Sequence, residues 1–254
     1  MGWEQFRQYL RDRRPLFGAY ITIPNADALE LIAADWDWLW IDQQHSPISN
    51  QEVALLVRIA EQAGAAPLVR VKHNDEVAIG LALDHGAAGV IVPMVNTAED
   101  AERAVSAAKF PPLGQRSVGS RRLMSQRGRN YWASSNEEIS VVVQLESARA
   151  IENTRSIASV PGVDALFLGV DDWLAETGVE LHFPADMQQL RLGIEKIAAE
   201  ALDLKCAFGC FCDDVSSVAE ARSLGASLLI CAEDWLLLQI GSRQAASNSR
   251  KVWL

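Results

Sequence analysis

Positive charge is scarce in this chain: 23 lysines and arginines stand against 33 aspartates and glutamates in 254 residues, a formal net charge of −10. That balance repels a nucleic-acid backbone or an anionic membrane surface, so neither is expected as the main partner, and a small ligand is the more natural one. Long apolar runs are missing too. No segment reaches membrane-spanning length, and the opening MGWEQFRQYLRDRRPLFGAY carries scattered charges in place of a continuous apolar stretch, so a cytoplasmic location is expected. Only four cysteines occur, Cys206, Cys210, Cys212 and Cys231, all in the last quarter. The second ligand pair of a thiolate zinc site is absent around them, which favours buried free thiols in a reducing compartment. No strand-like run leads into a glycine-rich phosphate fingerprint, since GQRSVG has neither the spacing nor the preceding strand. No low-complexity linker interrupts the chain, and 49% hydrophobic content suffices for one large α/β core, so residues 1–254 are read as one domain.

What is present is an alternation. LFGAYITI precedes ADALELIAADW, WLWIDQQH precedes NQEVALLVRIAEQAG, PLVRVK precedes DEVAIGLALDHG, and GVIVPMV precedes AEDAERAVSAAKF. The second half repeats the rhythm through VVVQLES, DALFLGV, CAFGCF and SLLICAED, each followed by a helix-like run. Gly64, Gly86 and Gly225 stand where helical runs give way to strands, as expected of left-handed helix stops. Eight such units in this length predict a (β/α)₈ barrel rather than an open doubly wound sheet. The segment from Pro111 to Trp132, rich in proline, glycine and arginine, is read as a functional loop.

In such a barrel reactive groups gather at the carboxyl ends of the strands. The second run ends in Asp42, Gln43, Gln44 and His45, the third carries Arg70, the fifth ends with Gln144 and Glu146, and the sixth leads into Asp171 and Asp172. Strand alternation puts Gln144 and Glu146 on one face, and Leu68, Arg70 and Lys72 on one face. Glu146 and Asp172, each placed where a buried run gives out, suit a divalent cation that prefers oxygen ligands.

The segments IDQQH, PLVRV, LDHGAAGVIVPMVNTAEDA, FPPLGQRSVG, VQLES and FLGVDDW, in order and at maintained spacing from about Phe17 to Asp234, resemble the HpcH/HpaI aldolase family. The resemblance implies a barrel of the phosphoenolpyruvate/pyruvate type and a class II aldolase that acts through a pyruvate enolate. Its substrates would be a 4-hydroxy-2-oxo acid or, in reverse, a 2-oxo acid and an aldehyde. Glu146 and Asp172 match the family's carboxylates for Mg²⁺, Mn²⁺ or Co²⁺, with Mg²⁺ the leading expectation. Arg70 matches the arginine facing the keto oxygen, His45 the base, and Asp42 and Asp84 the acids that orient them. The resemblance places Asp84 at a subunit interface, which implies a homo-oligomer, a trimer or a hexamer, with WLLLQIGSRQAASNSRKVWL as an exchanged terminal helix. Gln144, Gly169 and Asp171 would contact substrate, and Arg122, with Arg116 and Arg121, would close over the acceptor end. Two departures stand out: Gln44 replaces the acid usual before the histidine, and Val170-Asp171-Asp172-Trp173 replaces the usual P-x-D-L, with Trp173 expected to reshape the pocket wall. Oxaloacetate decarboxylation, another C–C lyase step, or a binding barrel without catalysis are the alternatives.

Overall fold

The alternating runs close into a barrel in the computed structural model, which describes residues 1–178 and 184–251, apart from the side chains of Thr177 and 184–190. The first half runs α1 (Trp3–Arg11), β1 (Leu16–Ile21), α2 (Ala26–Ile32), β2 (Trp38–Asp42), α3 (Asn50–Ala63), β3 (Ala66–Arg70), α4 (Glu76–Asp84), β4 (Gly89–Val92) and α5 (Ala98–Ala108). The second half runs α6 (Arg121–Arg127), α7 (Trp132–Glu138), β5 (Ser140–Leu145), α8 (Ala148–Glu152), α9 (Thr154–Ala158), β6 (Ala165–Leu168), α10 (Val170–Thr177), α11 (Pro184–Asp203), β7 (Ala207–Phe211), α12 (Val215–Ser223), β8 (Leu228–Glu233) and α13 (Asp234–Lys251). All eight strands are parallel and each pairs with its sequence neighbour, β8 closing onto β1. Their residues are almost all buried because a parallel strand is covered on both faces, by helices outside and by the lumen inside.

Parity along β2 sets the layers of the lumen. Trp38, Trp40 and Asp42 share one face. Trp40 meets Phe167 edge-on at 4.8 Å between centroids, Phe167 meets Phe211 at 5.5 Å, and Tyr20 meets Phe211 at 5.7 Å. This aromatic layer fills the middle of the barrel, so the polar side chains one step further along each strand stand on a dry platform. Below it, α1 closes the floor: Phe6 lies 6.4 Å from Trp38, and a Cβ on Gly18 would fall 2.5 Å from the Trp38 ring, so only glycine fits there. Arg7 on the same helix donates from Nε to Asp164 at 2.8 Å and from Nη1 to the Asn136 carbonyl at 2.7 Å.

The glycine stops behave as their positions suggest, with φ of 86° at Gly64, 96° at Gly86 and 82° at Gly225. At the opposite helix ends, Ser49, Thr97 and Asp214 form reciprocal capping boxes on α3, α5 and α12. The stretch Pro111 to Trp132 departs from its sequence reading. It contains α6, belongs to the connection from α5 to β5, and therefore lies at the amino-terminal end of the barrel. It cannot close over the mouth of its own barrel, because helix-to-strand connections return to the other end.

Candidate functional site

Asp42 ends β2 with no exposed surface and serves as the hub of the mouth. It accepts from Arg70 Nε at 2.6 Å, Tyr20 Oη at 2.9 Å, Ser46 Oγ at 2.8 Å, and the backbone N–H groups of Gln44 and His45 at 3.0 and 3.1 Å. Burial works to raise its pKa, but the hydrogen bond and charge of Arg70, with the Ser46 and Gln44 donors, outweigh it and hold the carboxyl below its usual range. Arg70 receives the reciprocal effect: burial would lower it, yet Asp42 keeps the guanidinium charged and raised. A second bond, Arg70 Nη2 to Tyr20 Oη at 2.6 Å, and the faces of Trp40 and Tyr20 at 5.2 and 5.5 Å fix its plane. Among the described residues Nη1 of Arg70 makes no hydrogen bond. One donor of a rigid fork is therefore left for a ligand oxygen.

Glu146 stands just past β5. It is 2% exposed, accepts the Met94 N–H on Oε1 at 2.5 Å, and leaves Oε2 buried with no hydrogen-bond partner. Burial pushes its pKa up; the Met94 N–H opposes that, the Asp172 charge adds to it, Arg70 and the nearby Gln144 amide oppose it, and the outcome is about 7. Met94 has a φ of 55°, a left-handed conformation that side chains with a Cβ rarely adopt, and that turn aims its N–H at the carboxylate. Gln144, one step down the same face, also keeps a buried Oε1 without a partner. Gly169 lies against both: a Cβ there would fall 2.6 Å from Gln144 Nε2 and 2.7 Å from Glu146 Oε2. Asp171 and Asp172 occupy the exposed first turn of α10, where the helix dipole favours carboxylates. A buried carboxylate with one oxygen unsatisfied is costly, and a hard divalent cation shared by Glu146 and Asp172, completed by water and ligand oxygens, fits this donor set. Among the described residues no cluster of three or more histidines, cysteines or carboxylates arises, so protein ligands alone would leave several coordination positions open.

Beside these groups a cleft of about 530 Å³ is lined by His45, Gln44, Lys72, His73, Met94 and Arg103, among others. The imidazole of His45 is exposed to it. Gln44 directs its backbone N–H to Asp42, while its side-chain Oε1 is buried without a partner.

Two sequence expectations, those for Arg122 and Trp173, change on this framework. Asp84 ends α4 at the amino-terminal side of the barrel, where it accepts from Arg116 Nη2 at 2.8 Å. Arg122 is at the same end, bound to Glu61 and to the His85 carbonyl, so neither residue reaches the mouth of its own chain. Trp173 is buried with its ring against Gly193 of α11, where a Cβ would fall 2.6 Å from the ring; it is a core residue rather than a pocket wall. The Gly169 N–H is already donated to the Leu145 carbonyl at 2.9 Å, which leaves the next amides of the α10 first turn, including that of Asp171, as the available donors. All four cysteines are free of disulfides, with Cys206, Cys210 and Cys212 buried and Cys231 half-buried. Sequence reading missed Tyr20, Ser46 and Met94. Tyr20 was within reach of it, as a lone polar residue at the end of an apolar strand. Met94 was not, because its role comes from backbone conformation.

Comparison with known proteins agrees with this arrangement. Residues 17–237 match the model of the family described as HpcH/HpaI aldolase/citrate lyase. A 2-dehydro-3,6-dideoxy-6-sulfogluconate aldolase of Pseudomonas putida is 40% identical over 165 residues, a match that covers 64% of this chain and 64% of that protein. A hydroxypyruvate/pyruvate aldolase of Rhizorhabdus wittichii is 31% identical over 240 residues, 94% of this chain and 96% of the relative. Among solved structures, a family protein from Burkholderia cenocepacia superposes with a TM-score of 0.90 at 31% identity, covering 97% of this chain and 99% of its own. From the closed barrel, the convergent mouth and the near full-length matches it follows that this chain belongs to the HpcH/HpaI aldolase/citrate lyase family.

Proposed function

We propose that the chain is a divalent-metal-dependent class II aldolase that reversibly cleaves a 4-hydroxy-2-oxo acid to pyruvate, or a related 2-oxo acid, and an aldehyde. The observation that carries this reading is the buried Glu146, with Oε2 unpartnered, near Asp172 and the charge of Arg70. A cation held by Glu146 and Asp172, Mg²⁺ first among candidates and Mn²⁺ or Co²⁺ after it, would act as a Lewis acid toward the 2-oxo acid. The chain's own residues account for the rest. Arg70, its plane fixed by Asp42 and Tyr20, turns a donor toward the keto oxygen as negative charge develops there. The first-turn amides of α10 suit the substrate carboxylate. His45, held by its own N–H to Asp42 at the edge of the cleft, takes a proton from the C4 hydroxyl during cleavage and returns it during condensation.

Asp84 and Arg122, at the far end of the barrel, fit a role toward a neighbouring copy, and the exposed Trp235, Leu237, Leu238 and Ile240 on α13 fit burial in an oligomer. Val252 to Leu254 of the expected exchanged element lie outside the described residues. Mixing an inactive Asp84→Asn variant with an inactive His45→Ala variant should restore activity if sites are shared between copies; no restoration would count against sharing.

The reaction is tested by proton NMR of pyruvate in D₂O. Methyl-proton exchange that requires both protein and a divalent metal, and stops with chelator, is the expected result. Absence of exchange with Mg²⁺, Mn²⁺ and Co²⁺ would overturn the reading.

A further inference from the structure

Cys210, Cys212 and Cys231 meet where β7 ends against β8, and the chemistry of the mouth uses none of them. Phe211 points into the lumen with the aromatic layer, so Cys210 and Cys212 on either side of it point outward. The two strands run in register, Cys210 opposite Leu229 and Phe211 opposite Ile230, and the Cys212 N–H donates to the Ile230 carbonyl at 2.8 Å, which puts Cys212 opposite Cys231. The Cys212 thiol is in side-chain contact with the thiols of both Cys210 and Cys231. Facing residues on adjacent strands stand about 4.8 Å apart, inside the range of about 4.4–6.8 Å that a disulfide spans, whereas residues two apart on one strand, as Cys210 and Cys212 are, stand about 6.6 Å apart, at its upper edge. Cys212 and Cys231 are therefore the pair that can be joined.

Cys231 also holds a special place in β8. Ile230 lies opposite Gly18 of β1, but the next pair is Ala232 with Ala19, so Cys231 is the extra residue of a bulge. The bulge resets the alternation of the strand end. Glu233 comes opposite Tyr20, whose hydroxyl receives Arg70 Nη2, and Asp234 accepts the N–H groups of Thr22 and Ile23 at 2.9 and 2.8 Å and the Thr22 hydroxyl at 2.8 Å. A pull on Cys231 toward β7 thus acts on the loop after β1 and on the tyrosine that fixes Arg70.

We propose that Cys212 and Cys231 form a modification site, a disulfide made on exposure to a hydroperoxide, and that the bond slows turnover by drawing the bulge away from β1. The half-buried Cys231 is the thiol that a hydroperoxide reaches; its sulfur takes one peroxide oxygen to become a sulfenic acid, and water or an alcohol leaves. The Cys212 sulfur then attacks that sulfur, the S–S bond forms, and the sulfenic oxygen departs as water with the Cys212 proton. The thiols have together lost an electron pair, and the broken O–O bond has received it. The Cys210 thiol pushes Cys212 up, Cys231 opposes that, burial adds to it, and the outcome is about 12; contact with Cys212 and burial push Cys231 up as well. Both thiols stay protonated near neutral pH, so the reaction is slow, and its selectivity comes from the pairing rather than from an activated thiolate. The bond is independent of the aldolase reading; its effect on turnover rests on that reading.

The test treats the full-length protein, loaded with Mg²⁺, with hydrogen peroxide, removes the excess with catalase, blocks the remaining thiols and maps the peptides by mass. The expected result is a Cys212–Cys231 cross-link that forms before Cys206 or Cys210 is modified and that dithiothreitol reverses. Pyruvate proton exchange should fall severalfold as the link forms and recover on reduction. Cys231→Ser and Cys212→Ser should each abolish both changes, and Cys210→Ser should keep them. Peroxide that leaves Cys212 and Cys231 unlinked, links other cysteines first, or joins separate copies through them overturns the site. A cross-linked protein that exchanges as fast as the reduced one overturns the coupling to the mouth. A reduced protein with no exchange sinks the aldolase reading, and the peptide map still decides the site.

Discussion

The barrel holds a buried arginine–aspartate pair at each end, and the two differ in what they leave undone. At the floor, Arg7 and Asp164 meet at 2.8 Å; the other aspartate oxygen takes the Val141 N–H at 2.9 Å, and Arg7 also serves the Asn136 carbonyl. At the mouth, Arg70 and Asp42 meet at 2.6 Å with similar burial, and beside them the Glu146 Oε2 and Gln144 Oε1 atoms are buried and unpartnered, the first of them on a carboxylate. Interior polar groups are ordinarily satisfied, and an unpartnered carboxylate oxygen is a far costlier exception than an unpartnered hydroxyl, so the mouth is arranged for something the chain itself does not contain, whereas the Arg7–Asp164 pair reads as a structural clamp.

Breaking the mouth should therefore cost rate, and breaking the floor should cost stability. The largest effect is expected for Glu146→Gln, which keeps shape and removes the buried anion. Pyruvate exchange and aldol turnover should fall roughly 10³-fold, about 4 kcal/mol of barrier, while the melting temperature of the metal-free protein holds or rises because a desolvated, half-satisfied carboxylate is gone. Retained turnover would remove Glu146 from the site. Next is Arg70→Lys, where the charge survives but the fork that reaches Asp42, Tyr20 and a ligand oxygen together does not; a loss on the order of 10²-fold in kcat is expected. If lysine supports near-normal kcat, the guanidinium only packs against Tyr20 and Trp40.

Arg7→Met is the counterpart at the floor. Removing one member of a buried pair strands Asp164, so the expected cost is about 3 kcal/mol of stability, or roughly 6–12 °C in melting temperature for a chain of this size. Turnover of the folded protein at 25 °C should be unchanged. A loss of kcat at full folding would mean that the two ends are coupled, and the division drawn between them would fail.

Much of this plan was legible in the chain. Eight apolar runs with helical runs between them, and glycines at the helix stops, were enough to expect the barrel, because a parallel strand buried on both faces reads as a continuous apolar run. Asp42, Arg70, Gln144 and Glu146 were legible as mouth residues for the same reason, each being a polar group that ends such a run. What stayed hidden depends on direction in space rather than on order. Trp173 sits in a short helix whose inward face is decided by α11, and Met94 acts through a backbone angle that no side-chain pattern announces. Arg122 was misplaced by its charge: an arginine-rich segment suggested an anionic site, whereas its place between α5 and β5 already assigned it to the floor.

The smallest expected effect sharpens the floor further. Lys109 is 1% exposed, donates Nζ to the Asn136 and Ile139 carbonyls at 2.9 and 2.8 Å, and is pushed down to about 8 by burial, partly offset by the charge of Asp164. Its folded pKa lies below its unfolded value, so between about pH 8 and the usual lysine range the unfolded chain binds more protons than the folded one. Stability arising from this group therefore rises with pH across that window, the penalty for a buried charge being present below pH 8 and relieved above it. Lys109→Met removes the titration, and the difference in unfolding free energy between wild type and variant, measured by denaturant at pH 7, 8, 9 and 10, should shift in favour of the wild type as pH rises. A difference that is flat, or that runs the other way, would mean that the two carbonyls hold the ammonium form as well as water does, and that this part of the floor is less dry than its burial indicates.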